Sequence, residues 1–496
     1  MHLFGENVSV VTAIFLVLAL GLAFGFEMVN GFHDTANAVA TVIYTHTLKP
    51  TVAVIWSGLW NLLGVLTSSG AVAFSVVALL PVELVLNVGS GAGFAMVFSL
   101  LISAMMWNLG TWYLGLPASS SHTLIGSIMG VGLANSLMTP GHVFGEGVNW
   151  AKAQEVFSSL LVSPIMGFIG AGLLLLILKA VVRRPELYRP PAGQQPPPLW
   201  IRGLLTLTCT GVSFFHGSND GQKGMGLVVL ILVGILPAQY ALNPASKASD
   251  IQAIVRDSSN VAPCLEKLSR NTDIKGMDAN GNISDYLKTD GRANEQTYAA
   301  ISGKNRQIHE ELDGRQSYTE LSTDKRKQFR SDIYLLSSAI GKLIKQKKIT
   351  EPSDVRALTA YTKRLDKETK YIPAWVKIAV ACFLGFGTMI GWKRIVVTVG
   401  EKIGKEHLTY GQGASAELVA MATIGLADRY GLPVSTTHVL SSGVAGTMAA
   451  NRSGLQADTM RNIILAWVLT LPVCVLLGAS IFSFALYILF HVFGVH

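Results

Sequence analysis

Apolar runs long enough to approach or cross a hydrocarbon layer of about 30 Å recur at 8–29, 51–80, 92–114, 155–182, 200–218, 224–241, 373–392, 411–430 and 461–492. Shorter apolar stretches rich in Gly and Ser lie at 36–45, 117–138 and 433–450, too polar at their starts for simple lipid-facing helices. The pattern predicts an all-α polytopic membrane protein of about 10–12 membrane segments. Broken or re-entrant helices are expected where polar backbone lines a cavity. Segment 8–29 lacks a basic n-region and a small-residue cleavage site. It reads as a retained span and not as a signal peptide.

The apolar pattern stops near 241 and resumes near 372. Residues 241–371 hold 23 of the 39 Lys and Arg and 18 of the 31 Asp and Glu, so they read as a soluble, partly helical insert. Ile333, Leu336, Ile340, Leu343 and Ile344 mark one apolar helix face within it. Asp278, Asn280 and Asn282 suggest a calcium loop, but Ile283 stands where such a loop needs Gly and Thr289 where it needs Glu. A polar turn is the better reading. The chain therefore divides into a first membrane half (1–182), a basic Pro-rich linker (183–199), the start of a second half (200–240), the insert (241–371) and the rest of the second half (372–496). Arg183, Arg184, Arg189 and Arg202 place the linker in the cytoplasm. With 200–218 and 224–241 counted as two spans, the insert shares that side and is cytoplasmic. Lys393, Arg394 and Lys402 follow a single span and fit this scheme poorly.

Two motifs occur twice. His33-Asp34-Thr35-Ala36-Asn37 after the first apolar helix is matched by His216-Gly217-Ser218-Asn219-Asp220, followed by Gln222-Lys223, and Asp220 lies 186 residues after Asp34. Gly115-Leu116-Pro117-Ala118-Ser119-Ser120-Ser121-His122 returns as Gly431-Leu432-Pro433-Val434-Ser435-Thr436-Thr437-His438, an offset of 316. The offsets differ by 130, which matches the 131-residue insert to within one residue. Removing the insert brings both pairs into one register, which implies a duplicated membrane fold interrupted once.

Composition narrows the function. The chain is 50% hydrophobic and 14% charged, with mean hydropathy +0.43, against about 25% charged residues in soluble domains. An ordinary soluble enzyme is excluded. The net charge of +8 sits in the insert and short loops without interleaved aromatics, so no nucleic-acid partner is expected. Cys209, Cys264, Cys382 and Cys474 have no metal or disulfide spacing. No Walker lysine motif is present to argue for ATP, and no dedicated metal site is read.

Asp34 and Asp220, read at the ends of apolar helices, are functional candidates because an ionisable group at membrane depth is costly unless it faces a cavity or partner. The alternative is a pair of helix caps at the water interface. Glu27 is a third acidic candidate, although Ser213 takes its place in the second half. In the hydroxyl motifs, Pro ahead of a helix start is compatible with helix geometry. Ser119, Ser120, Ser121 and Thr123, with Ser435, Thr436 and Thr437, would then surround free N–H groups at the positive ends of two helices, a ready site for phosphate-like oxygens. The alternative is tight packing with hydroxyls satisfying backbone. His122 and His438 read as structural; His33 and His216, beside the acidic motifs, suit proton chemistry.

On these motifs the sequence resembles the inorganic phosphate transporter (PiT) family, nearest its bacterial low-affinity branch. The resemblance spans both halves and includes the position of the insert. It implies inverted repeats, low-affinity phosphate uptake across a bacterial inner membrane, a phosphate site at the hydroxyl motifs, and cation coupling at Asp34, Asn37, Asn219 and Asp220. It also implies arsenate as a competing substrate and leaves a homo-oligomer open. His33 stands where many members have Asn, and Gln222-Lys223 occupy the later part of the second motif. These departures argue for protons over paired sodium ions. The bacterial branch implies that phosphate travels as a neutral complex with Mg2+ or another divalent metal. A sodium-coupled symporter and a membrane Ser/His/Asp hydrolase are the competing readings; the hydrolase needs one asymmetric nucleophile–base pair, whereas these motifs are matched.

Overall fold

The computed structural model describes residues 2–3, 6–7, 9–80, 89–139, 141, 143–146, 148–191, 193, 196–269, 278–287 and 291–491, with backbone alone for 2–7 and 34–37. Helices in the first half are α1 (Val10–Tyr44), α2 (Pro50–Thr67), α3 (Ala71–Val77), α4 (Gly91–Tyr113), α5 (Ser120–Met138) and α6 (Trp150–Val181). Next come α7 (Leu199–Ile235) and a short α8 (Pro237–Tyr240). The insert supplies α9 (Ala248–Ser269), α10 (Ala279–Leu287), α11 (Glu295–Leu312), α12 (Thr323–Lys345) and α13 (Pro352–Thr369). The chain returns through α14 (Ala374–Gly391), α15 (Lys393–Val397), α16 (Tyr410–Arg429), α17 (Thr436–Asn451) and α18 (Ala457–His491). The ten helices of 16 or more residues that lie outside the insert form the all-helical membrane body. Six, namely α1, α2, α4, α6, α14 and α18, are long and apolar enough to cross a membrane on length and composition alone.

Two expected breaks are absent. Runs 8–29 and 36–45 join in the 35-residue α1, and 200–218 and 224–241 join in the 37-residue α7. Asp34 and Asp220 therefore lie inside continuous helices and not at helix ends. The helical backbone satisfies its own hydrogen bonds through the polar motif, so polarity alone does not stop it. At 1.5 Å per residue, α7 is about 55 Å long. The linker and the insert emerge from its opposite ends.

The contacts sort the loops into two ends. At the linker end, Tyr188 lies against Gly411, Tyr44 against Gly400, and Gly404 bridges Leu455. Arg394 there donates to the Tyr113 carbonyl (2.8 Å), and Lys179 bonds Asn451. This locates the basic loop that the sequence left unplaced. At the insert end, Lys377 donates to the Ser68 carbonyl (2.8 Å), Asn149 to that of Ala78 (3.2 Å), and Arg326 of the insert to that of Ala238 (2.7 Å).

Packing follows the register of the repeated motifs, in which α1 corresponds to α7, α2 to α14, α4 to α16, α5 to α17 and α6 to α18. Helix α5 packs on α18 and α17 on α6; α1 packs on α14 and α2 on α7. Each contact thus occurs twice with roles exchanged. Gly31 and Gly217, in equivalent places, make the second crossing pair possible. A Cβ on Gly31 would stand 2.5 Å from the Leu384 carbonyl oxygen, and one on Gly217 would stand 2.1 Å from that of Asn61.

The insert has a core of its own, running from Ala241 to Leu365. The apolar face read from the sequence closes it: Ile333, Leu336, Ile340 and Leu343 are buried, with Ile344 packed against them.

Candidate functional site

The two hydroxyl motifs meet in the middle of the body. Each begins with a glycine in the left-handed region, Gly115 (φ 68°) and Gly431 (φ 66°), which turns the chain back before the proline. Ser119 then caps α5 by accepting from the His122 N–H (3.2 Å), and Ser435 caps α17 by accepting from the His438 N–H (3.1 Å). Ser121 Oγ donates to the Val434 carbonyl (2.7 Å), which joins the start of one helix to the approach of the other. The rings of His122 and His438 lie 4.7 Å apart, and His438 stacks on Trp467 at 4.2 Å. Thr123 turns away, donating to Asn108 Oδ1 (2.9 Å) and the Ser119 carbonyl (2.7 Å). Ser119, Ser120, Ser121, Thr123, Ser435, Thr436 and Thr437 are each at most 2% exposed, so the site is closed to solvent in this conformation.

Helix α7 brings its polar turn to the same point. Lys223, fully buried, donates from Nζ to Asp220 Oδ1 (2.6 Å), to Ser121 Oγ (2.5 Å) and to the Val434 carbonyl (3.4 Å). A desolvated ammonium therefore stands where the two helix starts meet. His216 donates from Nδ1 to Asn61 Oδ1 (2.6 Å), which turns Nε2 toward Asp220 Oδ2 at 3.7 Å. That is beyond hydrogen-bond range, and only a proton on one of the two would make the contact attractive. Asn219 donates to the Leu432 carbonyl (3.1 Å), while Ser218 (2.7 Å) and Gln222 (2.6 Å) both donate to Asp428.

From α1, Glu27 is fully buried with its carboxylate against Gly224, electrostatically coupled to Asp220 and Lys223. His33 donates from Nε2 to the Asn108 carbonyl (2.7 Å), on the same helix turn whose side chain receives Thr123. The side chains of Asp34 and Asn37 lie outside the described residues.

Of the residues chosen from sequence, the structure gathers Ser119, Ser121, Glu27, His216, Asn219 and Asp220 around one centre. Lys223 belongs there as well, although from sequence it counted only as a departure from the family pattern. Its signal was the i,i+3 spacing from Asp220, which lets the ammonium reach the carboxylate on one helix face. Asn61 and Asn108 were missed because each is a single polar residue in an apolar run, and Asp428 because beside Arg429 it reads as a charged helix end ahead of the second hydroxyl motif.

Comparison with known proteins places this arrangement in a family. A sequence model of the phosphate transporter family matches residues 30–478. The chain is 42% identical over 502 residues to "Low-affinity inorganic phosphate transporter PitA" of Escherichia coli (strain K12), covering 98% of this chain and 99% of that protein. It is 41% identical over 499 residues to PitB of the same organism, covering 97% and 98%. A solved structure described as "The sodium-dependent phosphate transporter" has a TM-score of 0.52 at 19% identity over 96% of this chain and 100% of that one, a likeness of fold. The chain belongs to the phosphate transporter family.

Proposed function

We propose that the protein carries inorganic phosphate inward across the bacterial inner membrane by proton-coupled symport, with low affinity and with phosphate as a neutral divalent-metal complex. Two membrane repeats of opposite orientation form the body and meet at the site. Arsenate, of the same geometry and charge, is accepted in its place. The observation that carries this reading is the Lys223 ammonium at the junction of the two hydroxyl motifs, held by Asp220 and Ser121. Two helix N-termini and one desolvated cation suit a tetrahedral oxyanion.

The same lysine bears on coupling. It neutralises Asp220 from within the protein, so a mobile sodium ion at that carboxylate would have to displace a tethered charge. His216 beside Asp220, and Glu27 beside both, offer proton carriers instead. Moving each negative charge inward against an inside-negative potential costs about 2.3 kcal/mol per 100 mV. Hydrogenphosphate therefore needs two or more protons, or a metal ion and a proton, to enter favourably.

Orientation follows from charge. Loops at the linker end carry Lys49, Arg183, Arg184, Arg189, Lys393, Arg394, Lys402, Lys405 and Arg452 against Glu186, Glu401 and Glu406. The opposite end, apart from the insert, balances Lys152, Lys377 and Arg429 with Glu146, Glu155 and Asp428. The excess of basic residues in short loops puts the linker end inside. The insert then faces outward.

The test is labelled-phosphate uptake into proteoliposomes, with imposed proton and sodium gradients crossed and with or without Mg2+. Uptake that follows the proton gradient and rises with Mg2+ is expected. Uptake that follows sodium alone would overturn the coupling while leaving phosphate transport in place.

A further inference from the structure

Where the insert meets the membrane body, the two enclose a cavity of about 90 Å³. Space on that scale holds several waters or one phosphate group. Among the described residues, two cations and no acid line it. Arg330, Tyr334 and Ser338 come from α12, spaced i, i+4, i+8 so that they share one face. Lys370 follows the end of α13, and α3 and α7 supply an apolar wall. Arg326, one turn before Arg330, holds α12 to the body through its bond to the Ala238 carbonyl (2.7 Å).

Arg330 is the member of this group that the fold does not explain. Its Nε is buried without a hydrogen-bond partner, and no carboxylate among the described residues pairs with its guanidinium. Lys223 and Lys304, also buried, each have a carboxylate, Asp220 at 2.6 Å and Asp332 at 2.8 Å. Lys370 is bonded to Asp366 Oδ2 (2.7 Å). A buried charge without a partner is strongly penalised, so an arginine held in this way beside a cavity calls for an anion from outside the chain. The position of the cavity adds to this. Gly226 and Leu230 in its wall stand three and seven residues after Lys223, on the same face of α7. They lie about 4.5 and 10 Å along the axis from it. The cavity is therefore next to the central site, on its insert side.

We propose that this cavity is a second anion site, which takes the phosphate group of inorganic phosphate or of an acidic membrane lipid, with Arg330 as its main ligand. The planar guanidinium presents paired donors to phosphate oxygens. The Tyr334 and Ser338 hydroxyls and the Lys370 ammonium border the remaining oxygens, and the apolar wall limits access of water. Inorganic phosphate bound here would wait outside the central site, whereas a lipid phosphate would tie the insert to the bilayer. Neither depends on which ion drives transport.

The test is thermal unfolding of full-length protein, delipidated in neutral detergent. It is titrated separately with inorganic phosphate and with short-chain phosphatidylglycerol, against chloride and short-chain phosphatidylcholine as controls. Lys223→Met, which removes the cation of the central site, is the background, and Lys223→Met/Arg330→Met is the comparison. At least one probe should stabilise Lys223→Met. Adding Arg330→Met should weaken its apparent affinity roughly tenfold to hundredfold, the worth of a charged hydrogen bond. Whichever probe acts identifies the source of the phosphate group. Equal stabilisation of both proteins, or of neither, would overturn the proposal. Without added ligand, the double variant should unfold at or above the temperature of its parent, because it loses an uncompensated charge. Unfolding well below the parent would reveal a partner within the chain and would also overturn the proposal. Uptake that proves independent of protons would overturn the coupling reading and leave this site untouched.

Discussion

Replacing Lys223 with Met tests the centre of the site most directly. The ammonium is fully buried, and its partners are Asp220 Oδ1 at 2.6 Å, Ser121 Oγ at 2.5 Å and, more weakly, the Val434 carbonyl at 3.4 Å. Removing it leaves the Asp220 carboxylate buried with its cation gone. Breaking such a pair from one side costs about 3–5 kcal/mol, whereas replacing both partners by neutral groups of similar size is often near neutral. Lys223→Met should therefore melt well below wild type, and Asp220→Asn/Lys223→Met should recover most of that loss. Transport should not follow stability. A charged hydrogen bond to the anion is worth about 1.5–3 kcal/mol, roughly tenfold to hundredfold in affinity, so both variants should fail to accumulate phosphate at concentrations that saturate wild type. Thermal unfolding in detergent, read beside uptake in proteoliposomes, gives the two quantities separately. A double variant no more stable than Lys223→Met would refute the pairing argument. Wild-type KM in Lys223→Met would refute the ligand role.

Asp34→Asn or Asp220→Asn should abolish gradient-driven uptake while leaving a folded protein; normal coupled uptake in either would remove that residue from the coupling path. Ser121→Ala, which loses the bonds to Lys223 and Val434, should raise the phosphate KM, and an unchanged KM would return this hydroxyl to packing. A cysteine introduced at exposed Lys363 in the insert should react with a membrane-impermeant thiol reagent added outside intact cells, whereas one at exposed Arg189 in the linker should be protected; the reverse pattern, or equal labelling, would overturn the orientation. In the insert, burial holds the Glu368 carboxyl above its ordinary value, with the bond from the Ser246 hydroxyl partly opposing. The folded state therefore binds this proton more tightly than the unfolded chain does. Stability is greatest below the ordinary value of 4.5 and falls as pH rises toward the folded value. Glu368→Gln should flatten this dependence, read as amide-exchange protection of α13 between about pH 4 and 7.

The fold class, the insert and the two motif pairs were legible because each leaves a periodic or repeated trace. Pro117 and Pro433 announce two helix starts, and their common register with the acidic motifs requires no three-dimensional information. The helix joins at 30–35 and 217–223 were not legible. A hydropathy window falls wherever His, Asp, Gln or Lys interrupts an apolar run, but the backbone stays helical because its hydrogen bonds are internal and the polar side chains find partners on other helices. The side assigned to the insert rested on counting α7 as two spans, and residues 199–235 form one continuous helix. Asn61 was invisible for a different reason: a lone polar residue in an apolar run acquires its meaning from its partner, here His216, 155 residues away.

The positions where the two halves differ matter more for coupling than those where they agree. A frame whose contacts occur twice with roles exchanged can face either way at similar cost, which suits alternating access. Such a frame gives no reason for a proton to move with phosphate. That reason has to come from side chains without a counterpart. Lys223 stands where the first half has Asn37, and Glu27 where the second has Ser213. One is a cation and the other an acid, both buried. On the proton-coupled reading proposed above, the phosphate contacts are shared between the halves, whereas the lysine fixes a charge on the second half alone. Making the halves more alike at these two positions should therefore weaken coupling before it weakens phosphate exchange, whereas changes in the shared hydroxyl motifs should weaken both together.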